Sequence, residues 1–418
     1  MIVEELKKVS TGIDLFSDLL VMPLFKENMA RAGFIYPTPI QAAVMAPALA
    51  GRDILGIART GSGKTLAFLL PMMEHLMHSR ANGIEALVLV PTRELAMQIF
   101  DELKILGKDS GIQTALVVGG FSETKQLDAV RRGARLVIAT PGRLGDYIKR
   151  RLVNMKNVRM VVLDEADRMV DMGFLPQMRM IVNAMSGKRQ TMCFSATLDN
   201  SIAHLVHAYM ENPYRAQIGS AAASTESVTL RIYEVIREQK LPLLIHLLTA
   251  DTGTFLVFTR TKYGSDKVAA KLIQRGFMAA ALHGNRSQSQ RIKALEGFKS
   301  GAYRVLVATN IAARGIHVQS IAHVVNYDMP ADAEDFIHRI GRTGRVEESG
   351  IATTFVMPEE RGDIEMIERK LGKSIERLSL PEGLWQEPRS LHDEAADIQS
   401  RRAYHSRGLR HFGRRPRP

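Results

Sequence analysis

Ten short aliphatic runs, each followed by turn residues and then a helical pattern, leave few folds open to this chain. In the first half the runs fall at 53–58, 86–90, 136–140, 160–163 and 191–195. In the second half they fall at 254–259, 278–282, 305–308, 323–326 and 351–356. Strands that alternate with helices pair in parallel, because each return to the sheet crosses it through a helix. Met160-Val161-Val162-Leu163 is apolar at every position, as a strand covered on both faces requires. The two series are separated by a small, polar stretch at 219–225 that has no apolar period. The expected class is therefore α/β, with two parallel sheets, each flanked by helices on both faces. The expected boundaries are a first domain over 1–217, a linker over 218–226 and a second domain over 227–378. A chain of 418 residues can bury two such cores without disulfide or metal staples. Beyond Leu378 the pattern decays, and 379–418 reads as an extension with a short basic tail, too poor in apolar surface to fold.

Charge and cysteine content narrow the function. Lys and Arg total 56 against 44 Asp and Glu, a formal net charge of +12. The last eighteen residues hold seven arginines and no acid. A basic surplus with such a terminus points to a polyanionic partner, most often nucleic acid. Cys193 is the only cysteine, so no intrachain disulfide forms, which suits a reducing cytosol. The first residues lack the apolar core of a signal peptide, and the longest uncharged run, 32–51, contains three prolines. A cytoplasmic monomer with no membrane partner is expected.

Ala58-Arg59-Thr60-Gly61-Ser62-Gly63-Lys64-Thr65 follows an expected strand and opens an expected helix at 66–78. Glycines let the backbone curl until its N–H groups face a phosphate, and the helix N-terminus adds positive potential there. Lys64 then reaches the β- and γ-phosphates, and the Thr65 hydroxyl becomes a ligand for Mg²⁺. Such a site needs a carboxylate for the metal and a group that orients water. Asp164-Glu165-Ala166-Asp167 offers both where the 160–163 strand ends. Asp164 is the expected metal ligand, and Glu165 the group that positions and deprotonates water. The twelve histidines show no metal-ligand spacing, so Mg²⁺, brought with the nucleotide, is the only metal expected.

With these two motifs on the page, the chain resembles the DEAD-box ATP-dependent RNA helicases, in order, across nearly all of 1–378. Gly33-Phe34-Ile35-Tyr36-Pro37-Thr38-Pro39-Ile40-Gln41 resembles the motif that reads adenine, with Phe16 as its isolated upstream aromatic. Pro91-Thr92-Arg93-Glu94-Leu95-Ala96, Gly119-Gly120 and Thr140-Pro141-Gly142-Arg143 resemble the family's RNA-backbone motifs. Ser195-Ala196-Thr197 resembles its coupling motif. In the second half the matches are Leu256 through Arg260, His283-Gly284 with Gln288 and Arg291, Thr309 through Gly315, and His338 through Arg345.

The resemblance implies two tandem RecA-like domains with ATP and RNA bound across their cleft. It assigns nucleotide contacts to Phe16, Gln41, Thr60, Gly61, Ser62, Gly63, Lys64, Thr65 and Gly315. Catalysis falls to Lys64, Asp164, Glu165, Arg342 and Arg345, the two arginines acting as fingers from the second domain. Coupling falls to Asp167, Ser195, Thr197, His338 and Arg339. RNA contacts fall to Thr92, Arg93, Gly120, Thr140, Arg143, Arg260, Gly284, Arg291 and Thr309. These are hydroxyls, arginines and backbone N–H groups, which suit phosphate and 2′-OH contacts without base sequence. The implied activity is local, non-processive unwinding of short RNA duplexes, driven by ATP. An ATP-gated RNA clamp with low turnover is the alternative.

One motif departs from the family. It usually reads Thr-Asp-x-x-x-Arg-Gly-x-Asp, and this chain has Asn310 and His317 where the acids stand. Asn310 keeps an acceptor and loses the charge. The substitutions bear on the coupling of ATP to RNA and leave the hydrolytic groups in place.

The arginines of the tail alternate with Tyr404, His405, His411 and Phe412, a mix that attracts phosphate and stacks on bases. Deleting 401–418 is expected to raise the RNA concentration needed for half-maximal ATP turnover, with turnover at saturating RNA nearly unchanged. The deletion also flattens the salt dependence, by about 0.7 log–log units per phosphate lost on a single strand. Equal RNA affinity and salt slope in the two proteins count against an RNA-tethering tail.

Overall fold

A computed structural model describes residues 15–58, 61–79, 81–185, 187–218, 228–313, 321–344 and 350–384. The expected linker lies outside the described residues except at Ile218, and the arginine-rich tail lies wholly outside them.

The first sheet contains β1 (Ile54–Ala58), β2 (Ala86–Leu89), β3 (Thr114–Val117), β4 (Leu136–Ala139), β5 (Met160–Leu163), β6 (Gln190–Ser195) and β7 (Tyr214–Ile218). Its order is β3-β4-β2-β5-β6-β1-β7. The second sheet contains β8 (Val228–Glu234), β9 (Phe255–Thr259), β10 (Ala279–Leu282), β11 (Val305–Thr309), β12 (His323–Asn326), β13 (Gly350–Val356) and β14 (Glu376–Leu378). Its order is β10-β11-β9-β12-β13-β8-β14, the same permutation as in the first sheet. Every pairing in both sheets is parallel. With helices on both faces of each sheet, these are two tandem RecA-like domains.

The all-apolar strands do what their composition dictates. Side chains alternate across a strand, so a fully apolar run supplies two cores at once. In β2 and β5, Ala86, Val88, Met160 and Val162 enter one core, and Leu87, Leu89, Val161 and Leu163 enter the other. In β9, Leu256 and Phe258 face one core of the second domain, Phe255 and Val257 the opposite one. Cys193 is buried in β6, where loss of water pushes its thiol pKa up, so it is a packing residue.

All ten expected strands are present, and four more join them. Three of the four, β3, β7 and β14, lie at sheet edges; polar residues interrupt the run in β7 and β14, and β3 is a four-residue strand that opens on Thr114. In β7 only Ala216 is buried. The fourth, β8, alternates buried positions with exposed or half-buried ones along Val228–Ile232.

Parallel pairing sends the C-terminal ends of the strands in each sheet to one edge. Ala58, Val90, Thr140, Asp164 and Ala196 all stand at or just past that edge in the first domain. Thr259, His283, Thr309 and Asp328 do so in the second.

His323 sits at the opposite edge, 3% exposed, with its Nε2 2.8 Å from the Thr353 hydroxyl and its ring 4.7 Å from that of Phe255. Burial pushes its pKa down to about 4, against the pull of Asp251 at 3.8 Å and with a smaller push from Arg231. The unfolded chain therefore takes up a proton near pH 6.5 that the folded domain refuses until about pH 4. The stability this group contributes is complete above the unfolded value and is lost as pH falls through the folded one. The loss is at most about 3 kcal/mol. Urea midpoints of the second domain are expected to fall across this window in the wild type and to fall less in His323→Asn. Parallel curves for the two proteins would assign the acid lability elsewhere.

Candidate functional site

After β1 the chain turns through Gly61 and Gly63, both left-handed at φ 84° and 88°, into the helix Lys64–His78. Gln41 ties this turn to the segment before it. Its Nε2 donates to the Gly63 carbonyl at 2.8 Å, and its Oε1 accepts the Thr38 N–H at 2.7 Å. The Thr38 hydroxyl donates to the Ser62 carbonyl at 2.7 Å. A Cβ on Gly63 would lie 2.6 Å from Gln41 Nε2, so close approach and backbone sign both demand glycine there. Lys64 is buried, and its ammonium donates to the Ala58 carbonyl at 2.7 Å. Glu102, on the helix Arg93–Leu106, lies near Thr65 and accepts from Gln98 at 3.1 Å. Burial raises the Glu102 pKa, with the Gln98 and Thr65 side chains acting the other way. Glu102 is absent from the motif reading. Its one sequence signal is a carboxylate four residues past Gln98 on a helix.

Phe16 takes a place that its apolar neighbours dictate. It is buried in the first-domain core with Leu19, Val21, Phe25 and Met29, and its N–H donates to the Ile35 carbonyl at 3.1 Å. It thereby braces the turn at 33–36, whose own aromatics, Phe34 and Tyr36, are 38% and 73% exposed. Thr60 lies outside the described residues.

Beyond β5, Asp164 and Glu165 are buried, and Glu165 adopts φ 51°, ψ 50°. A non-glycine residue in this left-handed region carries strain of the kind found at working sites. Its N–H donates to Asp164 Oδ1 at 3.0 Å. Asp167 Oδ2 accepts the N–H groups of Ala196 and Thr197 at 2.8 and 3.2 Å, and Ser195 Oγ accepts the Thr197 N–H at 3.4 Å. The three expected coupling residues of the first domain are thus one hydrogen-bonded unit. Burial drives the Asp164 pKa up to about 7; Lys64 opposes the shift, and the charges of Glu165 and Asp167 add to it.

Sequence reasoning passed over Arg168. It is 2% exposed, and its Nη1 donates to Glu165 Oε2 at 2.7 Å. Spacing of three on the helix Ala166–Asp171 was the available signal. A small cavity separates Arg168 from Asn310, His338, Arg339 and Arg342 of the second domain. Arg342 is buried, and its Nε donates to the His338 carbonyl at 3.3 Å. Arg339 is anchored in its own domain. It donates to Asn310 Oδ1 at 2.6 Å, Asn326 Oδ1 at 3.1 Å and the Asp328 carbonyl at 2.7 Å, and its guanidinium lies over the Phe258 ring. Gly315 and Arg345 lie outside the described residues.

A second cavity, a groove of about 440 Å³, is walled by Thr92, Arg93, Gly119, Thr140 and Arg143 together with Arg291 from the second domain. Thr92 also caps a helix, its hydroxyl accepting the Leu95 N–H at 3.3 Å. Gly120 is left-handed at φ 81° and packs against the Arg93 guanidinium. Burial lowers the Arg93 pKa, and Arg291 and Arg143 lower it further, against Glu94. Glu94 is the counter-charge that the motif reading gave no role. It pairs with Arg291 at 3.0 Å, and Gln288 joins it at 3.2 Å while reaching Arg93 at 3.5 Å. Arg260, Gly284 and Thr309 stand at the second sheet's edge, outside this groove's walls. Arg260 pairs with Glu360 at 2.9 Å and remains 61% exposed; Gly284 lies beside the Lys262 side chain. Among the described residues, no group of three or more His, Cys, Asp or Glu forms a metal cluster, and no helix is long and apolar enough to cross a membrane.

Removing Arg168 takes away the cation that faces the buried Glu165 carboxylate. Arg168→Ala is expected to cost about 3–5 kcal/mol of first-domain stability, as breaking one side of a buried pair does. The measurement is the urea midpoint. A variant as stable as the wild type would show that the pair does not hold this turn.

Comparison with known proteins places these features in a wider set. The model of the DEAD/DEAH box helicase family matches residues 38–205, and that of the helicase conserved C-terminal domain matches 239–347. The chain is 41% identical over 358 residues to ATP-dependent RNA helicase vasa of Drosophila melanogaster, covering 84% of this chain and 54% of that protein. It is 42% identical over 356 residues to DEAD-box ATP-dependent RNA helicase 20 of Arabidopsis thaliana, covering 84% and 71%. The chain thus spans little more than half the length of vasa, and 60% of DEAD-box helicase 30 of Arabidopsis thaliana. Among solved structures, Dbp5 of S. cerevisiae bound to RNA and ADP BeF3 is 27% identical, with a TM-score of 0.79 over 93% of this chain and 99% of that one. A DEAD box protein from Methanococcus jannaschii is 36% identical, with a TM-score of 0.52 over 87% and 99%.

Proposed function

The chain belongs to the DEAD/DEAH box helicase family, and on that premise we propose that it is an ATP-dependent RNA helicase that opens short duplexes locally. The observation that carries the proposal is the division of both sites across one cleft. The phosphate loop and acidic strand end stand on one domain and Arg342 on the other, and the arginine-walled groove is also built from both. Dbp5, a structural relative, is known in complex with RNA and ADP BeF3, which supports ATP and RNA as the two ligands.

The roles follow from the chemistry of each group. Lys64 exchanges the Ala58 carbonyl for phosphate oxygens. The N–H groups of Gly61, Ser62 and Gly63 line the same loop, and Thr60 is assigned to the nucleotide by its place in the motif. The hydroxyl and carboxylate oxygens of Thr65 and Asp164 suit a hard divalent cation, and the other buried acids near Asp164 leave excess negative charge for one to offset. Mg²⁺ held there neutralises charge on the phosphates. Glu165 takes the proton from water. Arg342 and Arg345 stabilise the charge that develops, an effect worth about 10³–10⁵ in rate for arginine fingers. Asp167 passes movement at the acidic turn to Ser195 and Thr197, and His338 and Arg339 do so in the second domain. Gln41, with Phe16 packed behind its segment, reads the adenine edge, and Gly315 is assigned to the nucleotide by its motif alone. Thr92, Arg93, Gly120, Thr140, Arg143, Arg260, Gly284, Arg291 and Thr309 hold one RNA strand by its backbone. Closing the cleft bends that strand away from its complement. We place the protein in the cytoplasm as a monomer, a reading supported by its single, buried cysteine.

Two substitutions test the assignment by failing differently. Lys64→Ala removes a phosphate contact and is expected to abolish turnover while weakening ATP binding. Glu165→Gln is expected to abolish turnover while ATP and RNA stay bound together, in a filter-retention assay with labelled RNA. Wild-type turnover in Glu165→Gln rules out the water-activating role. Equal stimulation by RNA and DNA oligomers of one sequence rules out RNA as the preferred strand.

A further inference from the structure

At the other rim of the first sheet, where the strands begin, the loops carry charge of one sign. The segments 150–159, 184–189, 50–53 and 210–213 lead into β5, β6, β1 and β7, which are successive neighbours in the sheet. Together they hold seven Lys and Arg against two acids, Asp53 and Glu211. Asp53 is turned inward, its Oδ1 accepting the Thr191 N–H at 2.7 Å and its Oδ2 the Glu211 N–H at 2.6 Å. On the neighbouring β2, Glu85 is buried and paired with Arg135. The cations of the four segments stay outside. Met160 stands opposite Gln190 across β5 and β6, so Arg159 and Arg189, one residue earlier on each strand, lie side by side. The Arg159 guanidinium covers the turn at Gly187, where a Cβ would be 2.9 Å from its Nη1, and Lys188 follows that turn. Gln190 Nε2 donates to the Arg52 carbonyl at 2.7 Å, which fixes Arg52 beside them, its guanidinium over the Tyr214 ring. Arg52, Arg159 and Lys188 are exposed and Arg189 is half-buried. Among the described residues none of the four pairs with a carboxylate, and Arg189 Nε has no hydrogen-bond partner.

We propose that this rim is a second RNA surface, which holds by its phosphates a part of the RNA that lies outside the groove. The proposal rests on RNA being the ligand, as argued above. The row across β5, β6 and β1 spans two strand spacings, about 10 Å, and a nucleic-acid backbone brings several phosphates within that length. Arginine suits them, because its planar fork matches a pair of phosphate oxygens. The same surface is a poor match to a protein. Protein interfaces have a core of apolar and aromatic side chains inside a polar border. None of the large apolar residues exposed on the described surface falls in these four segments. Nucleic-acid interfaces are more polar and far more positive. The groove stands at the opposite ends of the same strands, so the two surfaces meet different parts of one RNA. The groove takes the strand that is bent, and the rim keeps flanking RNA on the protein without touching the hydrolytic groups. An RNA too short to pass from one edge of the domain to the other uses the groove alone.

The test measures, by fluorescence anisotropy across a salt series and without nucleotide, how the full chain binds labelled single-stranded RNAs of about 10 and about 40 nucleotides. The proteins are the wild type, a rim variant with Arg52→Gln, Arg159→Gln and Lys188→Gln, and a control variant with Lys267→Gln, Lys293→Gln and Lys299→Gln. The control removes the same charge from three exposed lysines of the second domain. The rim variant is expected to bind the long RNA about tenfold more weakly, with a salt slope flatter by about 2 log–log units, three contacts at about 0.7 each. Its affinity for the short RNA and its maximal RNA-stimulated turnover stay close to wild type. Lys188→Gln alone, on an exposed turn, flattens the slope by about 0.7 and serves if the triple variant unfolds. Unchanged affinity for the long RNA overturns the proposal and leaves the rim to an acidic protein. An equal loss in the control variant also overturns it, since net charge is then the cause, as does an equal loss on both RNAs, which assigns these cations to the groove. If the wild type binds neither RNA, the proposed function fails and this surface with it. If it binds both equally well and its turnover responds to RNA, this surface alone fails.

Discussion

Every strand in each sheet runs the same way, and this single constraint decides where chemistry can stand. A parallel sheet buried under helices has no usable face, and its strands deliver their final residues to one rim. Loops at a rim can be polar without leaving backbone groups unpaired in a core, and the rim at the strands' C-terminal ends is the one where open α/β sheets hold their ligands. The phosphate turn, the acidic turn and the Ser195–Thr197 turn share a rim because β1, β5 and β6 are neighbours in one sheet. The second domain repeats the arrangement, so Arg339 and Arg342 face Arg168, which pairs with one of the acids at the first domain's acidic turn, across a cavity between the two.

Those acids are packed at a cost that the surroundings offset in specific ways. Asp164, Glu165 and Asp167 are all buried. Asp167 spends its oxygens on backbone N–H groups, and Glu165 faces the Arg168 guanidinium. Asp164, near Lys64, bears the strain as a raised pKa. Anionic ligand groups near Arg342 and a divalent cation near Asp164 are therefore complementary to charges already in place. The strained backbone of Glu165 fits the same pattern: the turn is held in an unfavourable conformation by hydrogen bonds on both sides.

The sequence made some of this plain and concealed the rest for physical reasons. Central strands announce themselves because both faces are buried, so an unbroken apolar run such as 160–163 has few other readings. Edge strands β3, β7 and β14 bury part of their surface at most, and a polar residue on the open side erases the signal. Motif residues were legible because glycine, lysine and clustered acids at fixed spacing have chemistry of their own. Glu94 was not, because its partner Arg291 is fixed by the meeting of two domains, and Arg168 offered only a spacing of three from Glu165, which surface pairs share. Phe16 stands in the local apolar cluster, its N–H tied to Ile35 in the segment that leads to Gln41.

The shared strand order has a consequence for the making of the protein. β1 lies between β6 and β7, and β8 lies between β13 and β14. In each domain the first strand synthesised is thus flanked only by the last two. On a ribosome, the segment that carries the phosphate loop leaves the exit tunnel early and finds no strand to pair with until Gln190 and then Tyr214 have followed. Its closure spans most of the domain, which makes it a late and entropically expensive contact. The nucleotide loop is therefore completed only when its whole domain is present. A truncated first half ending before β6 presents an unpaired β1 and is expected to aggregate rather than to bind nucleotide.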